Sequence, residues 1–277
     1  MDYVATYVWT AKSKDDNFGG FSGIEISPDG NSFHVISDRA HIYWGSIDRD
    51  HAGRIRGMNV AGRAHLKDSK GNVLPAGRLG DSEGLAIAPR GRTWITFEGL
   101  DRLAAYDDPD GPARRIPRPP VLTELDVNSG MEALAITDTG KLLAIPERSG
   151  VDTRPYPVLR YDPATRSWDV AFQIARQGRW LPTGADMGPD GQLYVLERDF
   201  RGLLGFQSRI RRFDITDATT GTVLEGEELL VTAPLQYDNL EGIAVWNDGI
   251  GLRITMISDD NFLFVQRTEL VEYRLWE

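Results

Sequence analysis

The 277-residue sequence has no cysteine. Disulfides, thiolate metal sites and cysteine nucleophiles are therefore excluded. No apolar stretch approaches the roughly 20 residues needed to cross a bilayer, so no membrane span is expected. Bases are in the minority: 31 Lys and Arg stand against 41 Asp and Glu, a formal net charge of −10. A nucleic-acid partner, whose footprint is basic, is not expected. An acidic surface suits cation capture or plain solubility. Long helices are missing, because no window sustains a 3.6-residue period over three turns. The four histidines, His34, His41, His51 and His65, crowd into the first quarter of the chain and lack the spacing of a zinc-protease helix. No Gly-x-Ser-x-Gly elbow occurs. A serine esterase would have to pair Ser22 or Ser129 with His41 or His51. The start, "MDYVATYVWTAKSKDD", has no basic segment followed by an apolar run and does not read as a signal peptide.

What the chain does contain is a repeat. "SGIEISPDG" (22–30), "EGLAIAPRG" (83–91), "EALAITDTG" (132–140), "TGADMGPDG" (183–191) and "EGIAVWNDG" (241–249) each place a turn glycine eight residues after an anchor. The anchors are Ser22, Glu83, Glu132, Thr183 and Glu241. They recur at intervals of 49 to 61 residues, and the path from Glu241 through both termini to Ser22 is of similar length. After each turn comes a second strand rich in β-branched and aromatic residues, then a third, such as "HIYWGSID" and "ELVEYRLW". A more variable fourth strand, such as "IRGMNVAG" or "EELLVTAP", follows in most units. Four antiparallel strands repeated radially predict an all-β propeller of five blades, in one domain over 1–277. Six blades would result if the long first unit hid another. The fifth unit lacks a fourth strand, and residues 3–9 are expected to supply it by pairing with 268–276.

In such a ring, the start of each first strand and the end of each second strand lie at one mouth. The starts carry Glu83, Glu132 and Glu241. The ends carry Asp38, Glu98, Glu147, Glu197 and Asp259 with Asp260. Like charges so gathered raise one another's pKa and require neutralisation. A hard divalent cation, Ca²⁺ above all, would supply it through oxygen ligands. Arg39, Arg148 and Arg198, each directly following an acid, are candidates for holding an anionic substrate. Carboxylates that simply pin neighbouring blades together are the third option. In units one and four the acid moves to Glu25 and Asp186, deeper in the strand, where each needs a donor or a metal. Lys141 falls at the opposite end of its hairpin. Trp180 and the stretch "DFRGLLGFQS" (199–208) are placed to wall or cover the mouth.

The five phrases in order, from "FSGIEISPDG" to "YDNLEGIAVW…ISDDNF", resemble the phytase-like propeller family, labelled "esterase-like activity of phytase". The resemblance runs over roughly residues 18–276. It implies a propeller, export to the periplasm or outside the cell, and a calcium-dependent hydrolase of phosphate or other esters acting on a small anionic or ester substrate. By position, the acids above are its metal candidates and the three arginines its anion candidates. A monomer is expected. A non-catalytic ligand- or protein-binding propeller and a lactonase-like hydrolase are the competing readings.

Overall fold

The computed structural model describes residues 1–10, 15–100, 102–120, 130–150, 153–202 and 205–276. The strand β1 (Asp2–Val8) precedes the first repeat. Blade one follows as β2 (Phe21–Ile26), β3 (Ser32–Ser37), β4 (His41–Arg49) and β5 (Ile55–His65). Blade two is β6 (Ser82–Ile87), β7 (Thr93–Phe97), β8 (Arg102–Tyr106) and the short β9 (Arg114–Arg115). Blade three is β10 (Met131–Ile136), β11 (Leu142–Pro146), β12 (Tyr156–Asp162) and β13 (Ser167–Ile174). Blade four is β14 (Leu181–Met187), β15 (Leu193–Phe200), β16 (Phe206–Phe213) and, after the two-residue β17 (Val223–Leu224), β18 (Glu227–Val231). Blade five is β19 (Asn239–Asn247), β20 (Leu252–Asp259) and β21 (Glu269–Leu275).

Each blade is an antiparallel sheet in chain order, and β1 adds to β21 as the outer strand of blade five. Its register runs from Asp2 opposite Arg274 to Val8 opposite Glu269, so the N-terminal strand closes the ring as expected. The long first unit hides no sixth blade. Past β5 the described residues form only isolated bridges, Lys67 with Val73 and with Pro112. Blade three gains a fifth strand, β17, lent by the connection inside blade four and paired in parallel with Gln173 and Ile174.

The apolar core is divided among the seams between blades. One cluster joins Phe21, Phe33 and Ile55 of blade one to Ala244, Trp246 and Ile257 of blade five. Four others fill the seams one–two, two–three, three–four and four–five. This division explains why every first strand is apolar on both faces: each side meets an adjacent blade. At the closing seam, Arg49 of blade one also makes a bidentate pair with Glu272 of blade five, both contacts at 2.9 Å.

In four of the five blades a glycine follows the anchor and lets the inner strands approach closely. A Cβ on Gly184 would lie 2.4 Å from the Glu241 carbonyl oxygen, and one on Gly242 would lie 2.9 Å from the Ile24 nitrogen. Neither position accepts a side chain without pushing the next blade away.

Candidate functional site

All five anchors sit at a break in register between the first and second strands. Ser22 falls between the pairs Phe21–Ser37 and Gly23–Ile36. Glu132 falls between Met131–Pro146 and Ala133–Ile145. Thr183 and Glu241 occupy the same place in blades four and five, and Glu83 lies in the irregular stretch between Ser82 and Leu85. A β-bulge leaves its extra residue unpaired and re-aims the side chain. The repeated Glu is thus a bulge residue at the channel mouth.

The same register identifies the equivalent second-strand residues. Ser37, Phe97, Pro146, Glu197 and Ser258 each pair just before the bulge. The residues one step further on are Asp38, Glu98, Glu147, Arg198 and Asp259. Four blades present an acid at this position and blade four presents an arginine. This corrects the expectation for Glu197. Its carboxylate is fully buried inside blade four, where it accepts hydrogen bonds from Arg209 Nε at 2.8 Å and from Arg211 Nε and Nη2 at 2.8 and 2.6 Å. Residue alternation along a strand turns it away from the mouth. Counting seven residues from the turn glycines Gly91, Gly140 and Gly191 leads to Glu98, Glu147 and Arg198, so the equivalence is present in the sequence.

Two zones occupy the mouth. On the blade-two side, ligand oxygens of Asp81, Glu83 and Glu98 lie within 4.8 Å of one another. Asp81 was not among the sequence candidates. It enters because its carbonyl receives the Glu98 N–H at 3.0 Å, which places it opposite Glu98. Burial, followed by Glu132 and Glu241, pushes the Glu83 carboxyl well above its ordinary range. Asp81 is raised by burial. Asp38 adjoins this group. Burial and the Asp81 charge push it up to about 7, and its buried Oδ1 has no hydrogen-bond partner.

On the opposite side, Arg198 binds the acids of blades three and five. Its Nη1 donates to Glu241 Oε1 at 2.6 Å and to Asn239 Oδ1 at 2.9 Å, and its Nη2 lies 3.6 Å from Glu147. Asn239 Nδ2 also donates to Glu241 Oε1 at 2.8 Å. Glu132 is raised by burial and by Glu147 and Glu241, with Arg198 opposing. Asp259 accepts the Asn261 N–H at 2.6 Å and is pushed up to about 8, by burial first and the Glu241 charge second.

Beside Arg198 opens a cavity of about 590 Å³, lined by Arg148, Arg176, Arg179 and Arg198 together with Glu147, Asp199, Phe200 and Phe206. Arg148 and Arg198 both line this cavity, paired with Glu147 and Glu241 respectively. Arg39 does not join them. Its guanidinium lies 3.2 Å above the Phe262 ring and donates to the Asp16 carbonyl. Arg176 and Arg179 carried no sequence signal, because the loop before β14 brings them in.

Glu25 accepts the Ile87 N–H at 3.1 Å and Asp186 the Val245 N–H at 2.7 Å, so each pins the following blade. Asp260 accepts from the Gly20 and Phe262 amides and from Thr268. Lys141 faces Asp162 at the far end, as expected. Ser22 donates to the Ser82 carbonyl at 2.5 Å, and His41 stacks on His65 at 4.3 Å, so these do not form a serine–histidine pair. His51 lines a separate cavity at the opposite face. Ser129 lies outside the described residues. Trp180 lies under Arg209. Of the stretch 199–208, Leu203 and Leu204 lie outside the described residues; Asp199 and Phe200 pair with Gln207 and Phe206, and Asp199, Phe200 and Phe206 wall the cavity.

Among curated proteins nothing matches the chain. Among solved structures, virginiamycin B lyase from Staphylococcus aureus aligns over 98% of this chain and 73% of its own, at 14% identity and a TM-score of 0.45. PQQ-bound aldose sugar dehydrogenase from Streptomyces coelicolor aligns over 97% of both chains, at 14% identity and a TM-score of 0.48. The family model described as "Phytase-like: Esterase-like activity of phytase" matches residues 16–262. With an acid on the bulge in three of its five blades and this match over most of its length, the chain belongs to the phytase-like family.

Proposed function

We propose that this propeller is a divalent-cation-dependent hydrolase of phosphate or other esters, working at the acidic mouth. The observation that carries the reading is that two complementary zones share one mouth. The carboxylates Asp81, Glu83 and Glu98 lie within reach of one ion, and an arginine-lined cavity opens at the same mouth. The donor set fits Ca²⁺: all ligands are hard oxygens, their charges repel without a counter-ion, and the buried Asp38 Oδ1 is unpartnered nearby. Bound there, such an ion would polarise an ester oxygen and make a bound water more acidic.

The chain's own residues do the rest. Arg148, Arg179 and Arg198 offer planar donors suited to a phosphate or carboxylate. Glu132 and Glu241, both raised by burial, are placed to move a proton at the mouth, since a carboxyl with an elevated pKa serves as a general acid or base near neutrality. Phe200 and Phe206 supply an apolar wall for the organic part of the ester.

A non-catalytic binding propeller is the second reading. It is favoured by the engagement of Glu241, already held by Arg198 and Asn239. A screen of phosphate monoesters, carboxylic esters and lactones, with calcium and with EDTA, separates the two. Turnover that chelation abolishes and calcium restores supports the hydrolase, with the responding substrate fixing the ester class. No turnover on any of them, with anions still bound, supports the binding module.

A further inference from the structure

We infer that the mouth face docks on a phospholipid surface through the tip Leu263–Phe264–Val265 of the loop between β20 and β21. The loop leaves β20 at Asp259, on the mouth side, and its Asn261 lines the arginine-rich cavity. Phe264 is 99% exposed, Val265 68% and Leu263 53%; Phe200 at 54% and Leu235 at 68% extend the apolar rim. Leu235 is tied to the cavity wall through its N–H to the Phe206 carbonyl at 3.2 Å.

The exposure is built into the loop. Asn261 and Phe262 both adopt left-handed backbone angles, φ 47° and 52°, which cost free energy in residues other than glycine. Asp259 and Asp260 hold those two amides. Asp238 holds the Gln266 side chain and the Arg267 amide from the other end, at 2.8 and 2.9 Å. Phe262 turns inward beneath Arg39, and the next three apolar side chains turn outward. A constrained turn that directs one aromatic into the protein and another into water is explained by an apolar phase outside.

The shape selects the occupant. A stable protein–protein interface buries about 800 Å² per partner over a complementary surface. Three side chains on a convex tip fall short of that, whereas a fluid lipid layer admits them without a matching groove. Arg267, paired with Glu269, and Arg179 and Arg201, both paired with Asp199, keep 65%, 76% and 42% of their side chains exposed and can turn outer N–H groups to lipid phosphates.

Co-sedimentation tests the inference, using vesicles of phosphatidylcholine and phosphatidylglycerol in equal parts. The protein should partition to the vesicles. The triple variant Leu263→Ser, Phe264→Ser, Val265→Ser should bind about tenfold more weakly or less, with unchanged circular dichroism because all three sites are exposed. Ile250→Ser, at an exposed apolar turn on the opposite face, should bind like the parent. Absence of parent binding, or equal binding by the triple variant, overturns the inference. So does self-association in lipid-free gel filtration that the triple variant abolishes, since the tip would then serve a second copy of the chain.

Discussion

Arg198 Nη1 meets Glu241 Oε1 at 2.6 Å across the seam between blades four and five. Arg198 occupies the position at which the other four blades carry Asp38, Glu98, Glu147 and Asp259. One blade therefore supplies a fixed cation to a ring of acids. It neutralises the side formed by blades three and five and leaves the blade-two side, with Asp81, Glu83 and Glu98, in excess negative charge.

Replacing that cation exposes its contribution. Arg198→Met strips Glu241, Glu147 and Glu132 of their compensating charge. Removing one partner of such a buried pair costs about 3 kcal/mol. Urea denaturation in EDTA should show a loss of that order, with calcium recovering part of it. An unchanged midpoint would mean that the mouth acids are neutralised by protons alone.

Glu197 behaves oppositely. It is enclosed by Arg209 and Arg211, so Glu197→Gln leaves two buried guanidiniums without their acid. A destabilisation of about 3–5 kcal/mol is expected, with cation affinity unaltered where the variant remains folded. Weakened cation binding in a stable Glu197→Gln protein would return Glu197 to the mouth.

The blade pins are testable in the same way. Asp186→Ala leaves the Val245 N–H without its acceptor at the seam between blades four and five. A buried donor left unsatisfied costs about 1–3 kcal/mol. Thermal unfolding should register the loss while calcium titration stays unchanged.

The architecture was legible because a propeller repeats its own grammar. Turn glycines, alternating strands and the closing N-terminal strand all follow from local chemistry. The mouth was legible only in part. Glu83, Glu98, Glu132 and Glu241 could be placed from the repeat, but Glu197 could not be told from Arg198 by residue type, since one step along a strand reverses the face. Asp81, Arg176 and Arg179 reach the mouth from segments outside the repeated phrases, where spacing carries no signal. Arg39 follows an acid in sequence, yet its position is decided by Phe262, more than 200 residues away.

The acids also make stability depend on pH. Asp38 is pushed up to about 7 and Asp259 to about 8 by burial and then by neighbouring carboxylates, whereas both ionise near about 4 in an unfolded chain. Between these values the unfolded chain has released protons that the folded chain retains, so rising pH favours unfolding. In EDTA the melting temperature should fall as pH climbs from about 4 to about 8 and level off above that. Calcium, by binding the ionised carboxylates, should flatten the fall. A cation-free profile that rises across this window would contradict the buried, mutually repelling ring.

The most direct measurement is a calorimetric titration of calcium into metal-free protein and into Asp81→Asn and Glu83→Gln variants. The parent should bind saturably, and either substitution should weaken binding about tenfold or more. Because each removes a repelling carboxylate, both variants should be at least as stable as the parent in EDTA. Absence of parent binding, or binding indifferent to both substitutions, would contradict a cation site built from Asp81, Glu83 and Glu98.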